Sequence, residues 1–148
     1  MRAVVQRVNE GSVEIDGMLY SKIGRGFVIL LGIRKGDPRE YALSLAERCS
    51  SLRLFPDVGG KMNLGLKEVN GSVLIVSQFT LYGDVRKGNR PGFSDAAPAS
   101  EAEPLYEMFV DRMKTILGSE RVFTGVFRAM MNVTIVNDGP VTLLLEEG

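Results

Sequence analysis

The segment Gly26-Phe27-Val28-Ile29-Leu30-Leu31-Gly32-Ile33 constrains the fold more than any other. It is a short apolar block interrupted only by glycine, and it lacks the alternation of a half-exposed strand. Such a block reads as a central strand buried on both faces. Its Phe27–Leu31 stretch is the longest unbroken apolar run in the chain. That run falls far short of the ~20 residues a membrane-spanning helix needs.

Other strand signals surround it. Ala3–Val8 and Ser12–Asp16 are rich in β-branched residues, with Asn9-Glu10-Gly11 between them as an expected turn. Ser72–Tyr82 reads as a further buried strand. Near the C-terminus, Asn132–Asn137 and Val141–Leu145 read as two strands joined by Asn137-Asp138-Gly139-Pro140. Two helices are expected. The first opens on Asp37-Pro38-Arg39-Glu40, with Asp37 as N-cap, Pro38 at the first helical position and Glu40 completing a capping box. Ala42, Leu45, Ala46, Cys49 and Leu52 then recur at helical spacing. The second opens at Ser100 and carries an apolar stripe of Leu105, Met108, Phe109, Met113 and Ile116, ending at Gly118. The order β-β-β-α-β-α-β-β predicts an α+β fold of mostly antiparallel, barrel-like sheets with two main helices. The chain has 148 residues, the size of one domain, residues 1–148, able to bury a core without a disulfide or metal staple.

Composition narrows the chemistry. There is no histidine, which removes Ser-His and Cys-His mechanisms, a histidine general base and zinc sites that need imidazole. The single cysteine, Cys49, lies on the apolar stripe of the first helix and reads as core. One thiol fits a reducing cytosol. Met1–Arg7 has no apolar signal-peptide core, so a cytoplasmic location is expected. The net charge is zero, but residues 1–100 carry 14 basic and 10 acidic side chains and residues 101–148 carry 4 and 8. That asymmetry gives at most a weakly basic face, unlike a strongly basic nucleic-acid binder. There is no P-loop, no Rossmann fingerprint, no EF-hand spacing and no spacing-supported carboxylate pair.

Four places can carry chemistry. Ser77-Gln78-Phe79-Thr80-Leu81 concentrates two hydroxyls and an amide where a buried strand runs out. In a regular strand Ser77 and Phe79 would face one side, Gln78 and Thr80 the other. One pocket can use Ser77 and Thr80 together only if the strand bends, bulges or ends near Phe79, or if one of them contributes through its backbone. Asn137-Asp138-Gly139-Pro140-Val141-Thr142 is either a plain hairpin loop or a cis Gly-Pro junction. The cis form would turn neighbouring carbonyls in similar directions, ready to accept from an ammonium group. The 16-residue irregular stretch Gly83–Pro98 carries Arg86, Lys87 and Arg90, suited either to solubility or to phosphate contacts. Arg7, alone among apolar neighbours, is either edge-exposed or a buried donor to nearby carbonyls.

Taken in order, several segments resemble the D-aminoacyl-tRNA deacylases. They are Gln6-Arg7-Val8, Gly60-Lys61-Met62-Asn63, Ser77-Gln78-Phe79-Thr80-Leu81, Arg90-Pro91-Gly92-Phe93-Ser94 and Met131-Asn132-Val133, followed by Asn137-Asp138-Gly139-Pro140-Val141-Thr142. The resemblance runs from residue 6 to residue 142. It departs from the family's Gly-Ala-x-Met style at Arg128 and Met130.

The resemblance implies a hydrolase that cleaves the ester between a D-amino acid and the 3′ end of tRNA, a chiral proofreading activity that also accepts glycine wrongly attached to alanine tRNA. It implies a homodimer with the substrate pocket at the subunit interface, no cofactor, no metal and no membrane. Ser77, Gln78, Phe79 and Thr80 would line the pocket around the ester. Met131, Pro91 and Phe93 would form walls. Gly139-Pro140, held cis and braced by Arg7 in the Asn137 motif, would enter the partner's pocket and take the α-ammonium on main-chain carbonyls. An L side chain would then strike that wall, a D side chain would point outward and glycine would pass. With no histidine to activate Thr80, a substrate-assisted reaction is favoured over a threonine nucleophile.

Overall fold

The structure is a computed structural model describing residues 1–148. Its elements are β1 (Arg2–Ile15), β2 (Met18–Ile23), β3 (Gly26–Gly32), α1 (Arg39–Ser50), β4 (Phe55–Pro56), β5 (Met62–Leu64), β6 (Ser72–Ser77), α2 (Ala99–Leu117), β7 (Val122–Thr124) and β8 (Asn132–Glu146). A six-stranded sheet runs β2-β1-β3-β6-β7, with β8 also paired to β1, while β4 and β5 form a separate small hairpin. Pairings of β1 with β2, β3 and β8 are antiparallel; β3–β6 and β6–β7 are parallel. The fold is thus α+β, mostly antiparallel and barrel-like, with two main helices.

Alternation along β3 explains the layers. Phe27, Ile29 and Leu31 belong to the large cluster beneath α1 and α2, which also takes Val73 and Ile75 of β6. Val28 of β3, with Leu74 and Val76 of β6, points the other way, into a smaller cluster with Val8, Val13 and Ile23. A strand with both faces covered has no room for polar side chains, so the block is continuously apolar. Each fully buried side chain of this size contributes about 1.5–3 kcal/mol. The second face is covered by the sheet itself. Residues 2–8 of β1 pair with β3 and residues 11–15 with β2, so β1 passes from one neighbour to the next as the sheet curls. The Ser21 hydroxyl on β2 donates to Thr124 O on β7 at 2.8 Å, tying the two ends of the strand order together.

Several local expectations change. Asn9-Glu10-Gly11 is not a turn: β1 runs unbroken for 14 residues. Gly11 serves close approach instead, since a Cβ there would lie 2.6 Å from Val28 Cγ2. The reversal falls later, at Asp16 and Gly17, whose φ values of +51° and +75° are those of a tight hairpin turn. The expected pair of C-terminal strands is one strand of 15 residues, paired with β1 along its length. The turn-forming residues 138–141 make an outward bulge rather than a reversal. The Ser72–Tyr82 strand stops at Ser77 and continues as a 3₁₀ turn, Phe79–Tyr82. Asp37 does not cap α1, and Glu40 completes no capping box: the N-cap is Pro38, without a side-chain bond. Asp37 instead accepts from Arg34 N–H at 2.8 Å and pairs with the Met1 ammonium at 2.8 Å. Helix α2 starts at Ala99, behind Pro98, and ends at Gly118. Its Tyr106 hydroxyl is buried and donates to Ile75 O at 2.9 Å, fastening α2 to β6. No helix is long and apolar enough to cross a membrane.

Candidate active site

The end of β6 builds the first part of the site. Ser77 is the last residue paired to β3, opposite Leu31. Gln78 donates its N–H to Leu31 O at 2.8 Å, and its backbone (φ −141°, ψ 79°) then leaves the strand. The break cancels the period-2 alternation, so Ser77, Gln78 and Phe79 all line one cavity. The Gln78 side-chain amide donates to the Thr80 hydroxyl, making them one unit. No carboxylate, lysine or histidine bonds to Thr80. The first N–H groups of the 3₁₀ turn, on Phe79 and Thr80, have no intrahelical acceptor. They are free donors beside the cavity.

The cavity measures about 470 Å³ and is mainly apolar, within the range of small-molecule sites. Ser77, Gln78, Phe79 and Met131 line it together with Ile33, Val76, Ala97, Ala99, Ala102, Phe127, Arg128, Ala129, Met130 and Val133. The three alanines around the start of α2 leave the space. Sequence reading missed them, although small residues before and within the first turn of a helix were visible. Phe93 joins from the Gly83–Pro98 loop, its ring edge-on to Phe79 with centroids 5.1 Å apart. Pro91 is exposed in the same loop, next to Gly92, which pairs with Asp84. Arg86 is bound to Asp84 at 2.8 Å, which holds that carboxyl down at about 2. The Arg86 charge is therefore engaged within the loop, whereas Lys87 and Arg90 are exposed.

A second cluster sits on β1 and β8. The ladder between them passes from Gln6–Thr142 to Val8–Asn137, so residues 138–141 stand off it opposite Arg7. The Gly139-Pro140 bond within this bulge is cis, and both residues are exposed. Arg7 is the brace. Its side chain is 11% exposed, and its Nε lies 3.0 Å from Asp138 Oδ2 and donates to Asp138 O at 3.2 Å. Its Nη1 donates to Leu54 O at 2.5 Å. Asn137 closes the base, donating from Nδ2 to Arg7 O at 2.9 Å and to Val141 O at 3.1 Å. Of the expected site residues, then, Ser77, Gln78, Phe79, Thr80, Phe93 and Met131 gather at or beside the cavity. Arg7, Asn137, Gly139 and Pro140 gather at the bulge and do not line that cavity.

Cys49 lies outside both clusters, fully buried under α1, where burial pushes its thiol up to about 12. It is packing, not a nucleophile.

Fold and site together define a class: a small barrel-like α+β protein with a nucleoside-sized apolar cavity, edged by hydroxyl, amide and free N–H groups suited to polarising a carbonyl ester. Comparison with known proteins makes this specific. The family model for D-Tyr-tRNA(Tyr) deacylase matches residues 4–146. A D-aminoacyl-tRNA deacylase of Anaeromyxobacter dehalogenans is 54% identical over 146 residues, 99% of this chain and 97% of that one. One from Thermosipho africanus is 53% identical over the same lengths. Among solved structures, one titled c-Myc DNA Unwinding Element Binding Protein superposes with a TM-score of 0.95 at 40% identity, covering 100% of this chain and 99% of that one. A probable eukaryotic D-amino acid tRNA deacylase shares the fold, with a TM-score of 0.85 at 18% identity over 97% of each chain. The chain belongs to the D-aminoacyl-tRNA deacylase family. It is an ester hydrolase whose substrate is D-aminoacyl-tRNA.

Proposed function

We propose that the chain acts, as one catalytic domain of residues 1–148, in chiral proofreading of aminoacyl-tRNA in the cytoplasm, and that two copies complete each site. The observation that carries this reading is the bulge at 138–141. Its main chain leaves the β1 ladder, is exposed, and is held from behind by Arg7 and Asn137, yet it stands outside the cavity of its own chain. A braced, exposed stretch of main chain offers carbonyl acceptors for an α-ammonium, and a second copy's cavity is the place that lacks one. Docking across a two-fold axis would give each cavity the partner's Gly139-Pro140.

The reaction follows from these parts. The terminal nucleoside enters the apolar cavity beside Ser77 and Gln78, with Phe93, Pro91 and Met131 as walls. The carbonyls of Gly139 and Pro140 accept from the α-ammonium. Water attacks the ester carbonyl carbon, and the N–H groups of Phe79 and Thr80 donate to the developing oxyanion. The bond to the ribose 3′ oxygen breaks as that oxygen takes the proton released by the water, relayed by the adjacent 2′-hydroxyl. Each oxyanion donor is worth ~10²–10³ in rate, and fixed orientation supplies much of the remainder. With ammonium and ester both pinned, an L side chain is driven into the Gly139-Pro140 wall. A D side chain points out, and glycine, including glycine on alanine tRNA, passes.

The test is deacylation of matched D-tyrosyl-, L-tyrosyl- and glycyl-tRNA. Fast hydrolysis of the D and glycyl esters with the L ester spared is expected. Equal hydrolysis of the D and L esters overturns the filter. The likeness to the c-Myc DNA unwinding element binding protein favours a second reading, nucleic-acid binding without chemistry. A net charge of zero counts against it, and turnover in the same assay excludes it.

A further inference from the structure

The one charged residue of the cavity lining, Arg128, has no part in the mechanism above. It is exposed, so it stands at the rim. Its backbone has φ of +67°, the left-handed region where a Cβ is disfavoured and glycine is the usual occupant. Many arginines of the chain are tied down. Arg7, Arg48, Arg53, Arg112 and Arg121 each hold a carboxylate, amide or carbonyl. Arg128 holds none: no ion pair or side-chain hydrogen bond engages its guanidinium. Arg128 thus sets an unpaired cation at the mouth of an apolar pocket on a backbone conformation that disfavours a side chain.

We propose that Arg128 binds the 5′-phosphate of the terminal nucleotide of the acceptor strand, and so positions the tRNA end in the cavity. The inference rests on the reading of the cavity as the terminal nucleoside's site. In any nucleotide esterified at its 3′ oxygen, the 5′-phosphate is the nearest fixed negative charge. With the base and ribose inside the cavity, that phosphate lies at the opening. A planar guanidinium with several donors matches a phosphodiester there. Arg128 is then a binding residue. It acts on where the substrate sits, not on the oxyanion or the attacking water.

The experiment compares 3′-O-D-tyrosyl adenosine with the same ester carrying a 5′-phosphate. For the natural chain the phosphate should lower KM about 5–10-fold with kcat little altered, the size of one charge-assisted contact. In Arg128→Gln that gain should vanish. With D-tyrosyl-tRNA, the slope of log(kcat/KM) against log[salt] should flatten by about 0.7, one single-strand phosphate. Arg128→Gly should lose the same gain while melting roughly 2 °C higher, because the left-handed backbone is relieved. A phosphate gain and salt slope that survive in Arg128→Gln overturn the proposal, as does a lower Tm in Arg128→Gly, which would make the residue structural. Calorimetric binding of adenosine 5′-monophosphate against adenosine reads the same preference without hydrolysis. If AMP binds better and the preference needs Arg128 while no ester is turned over, the functional reading falls and the phosphate site stands. If neither ligand binds, both fall.

Discussion

The two halves of the site are built from opposite materials. At the end of β6, side chains do the work: a broken strand turns Ser77, Gln78 and Phe79 into one cavity with Met131 across from them. At the 138–141 bulge the side chains of Arg7 and Asn137 support, and the surface proposed to work is main chain. The first region is concave and nearly complete within one copy. The second is exposed and does not line its own chain's cavity. Under the proposed function, the difference teaches where selectivity would reside. A side-chain pocket distinguishes one side chain from another, whereas a main-chain wall distinguishes only handedness, which is what a filter for every D-amino acid requires.

The comparison can be broken most severely at the brace. Arg7→Ala leaves the carbonyl of Leu54 and the Asp138 carboxylate without their donor. It should cost about 1–3 kcal/mol in chemical denaturation. The bulge should then wander, with deacylation falling ~10²-fold. Arg7→Lys should regain only part, since an ammonium cannot reach Asp138 and Leu54 as a fork does. Near-normal rates in Arg7→Ala would remove the bulge from the mechanism. The cavity side is next. Ala102→Leu pushes three carbons into the space beside Val76 and Phe127, and KM should rise about tenfold with a smaller change in kcat. An unchanged KM would mean that the terminal nucleoside lies elsewhere.

A smaller effect separates the two chemical schemes. Thr80 bonds to the Gln78 amide and to no base, so Thr80→Val should stay within about tenfold of the natural kcat. A loss of ~10⁴ with binding intact would reinstate the hydroxyl as nucleophile. The smallest concerns the core. Burial raises the Cys49 thiol from 9.0 to about 12. Its contribution to stability is therefore whole below pH 9.0 and is lost as pH climbs from there toward about 12, because the unfolded thiol ionises first. Iodoacetamide should not label the native protein at pH 8 and should label it in denaturant. Native labelling would place the thiol outside the core.

How much of this was legible depended on whether the signal was local. The β3 block, the α1 and α2 stripes and the buried Cys49 all follow from the spacing of apolar residues, because burial on one or two faces leaves a period in the sequence. The break after Ser77 was legible only as a condition, since nothing local says where a strand stops pairing. Gly11 and residues 137–140 misled for one reason. Glycine, asparagine and proline mark turns, but they equally mark close approach and bulges, and only the β1–β8 ladder shows which. The short β4, β5 and β7 strands carry no pattern of their own. Their pairing is set by neighbours far along the chain. Arg128 was visible as a departure from the family style, but its left-handed backbone was not.

The central claim is that one copy's cavity works with the other copy's bulge, and mixed dimers test it directly. Gln78→Ala damages the cavity. Gly139→Val damages the bulge, where even a Cβ would press on Asn137 Oδ1 at 3.1 Å. Each variant alone should deacylate D-tyrosyl-tRNA poorly. Co-refolded in equal amounts, they should recover about a quarter of the natural rate, because half the dimers then carry one undamaged site of two. A mixture no more active than the two variants measured apart would show that cavity and bulge serve within a single chain, or not at all.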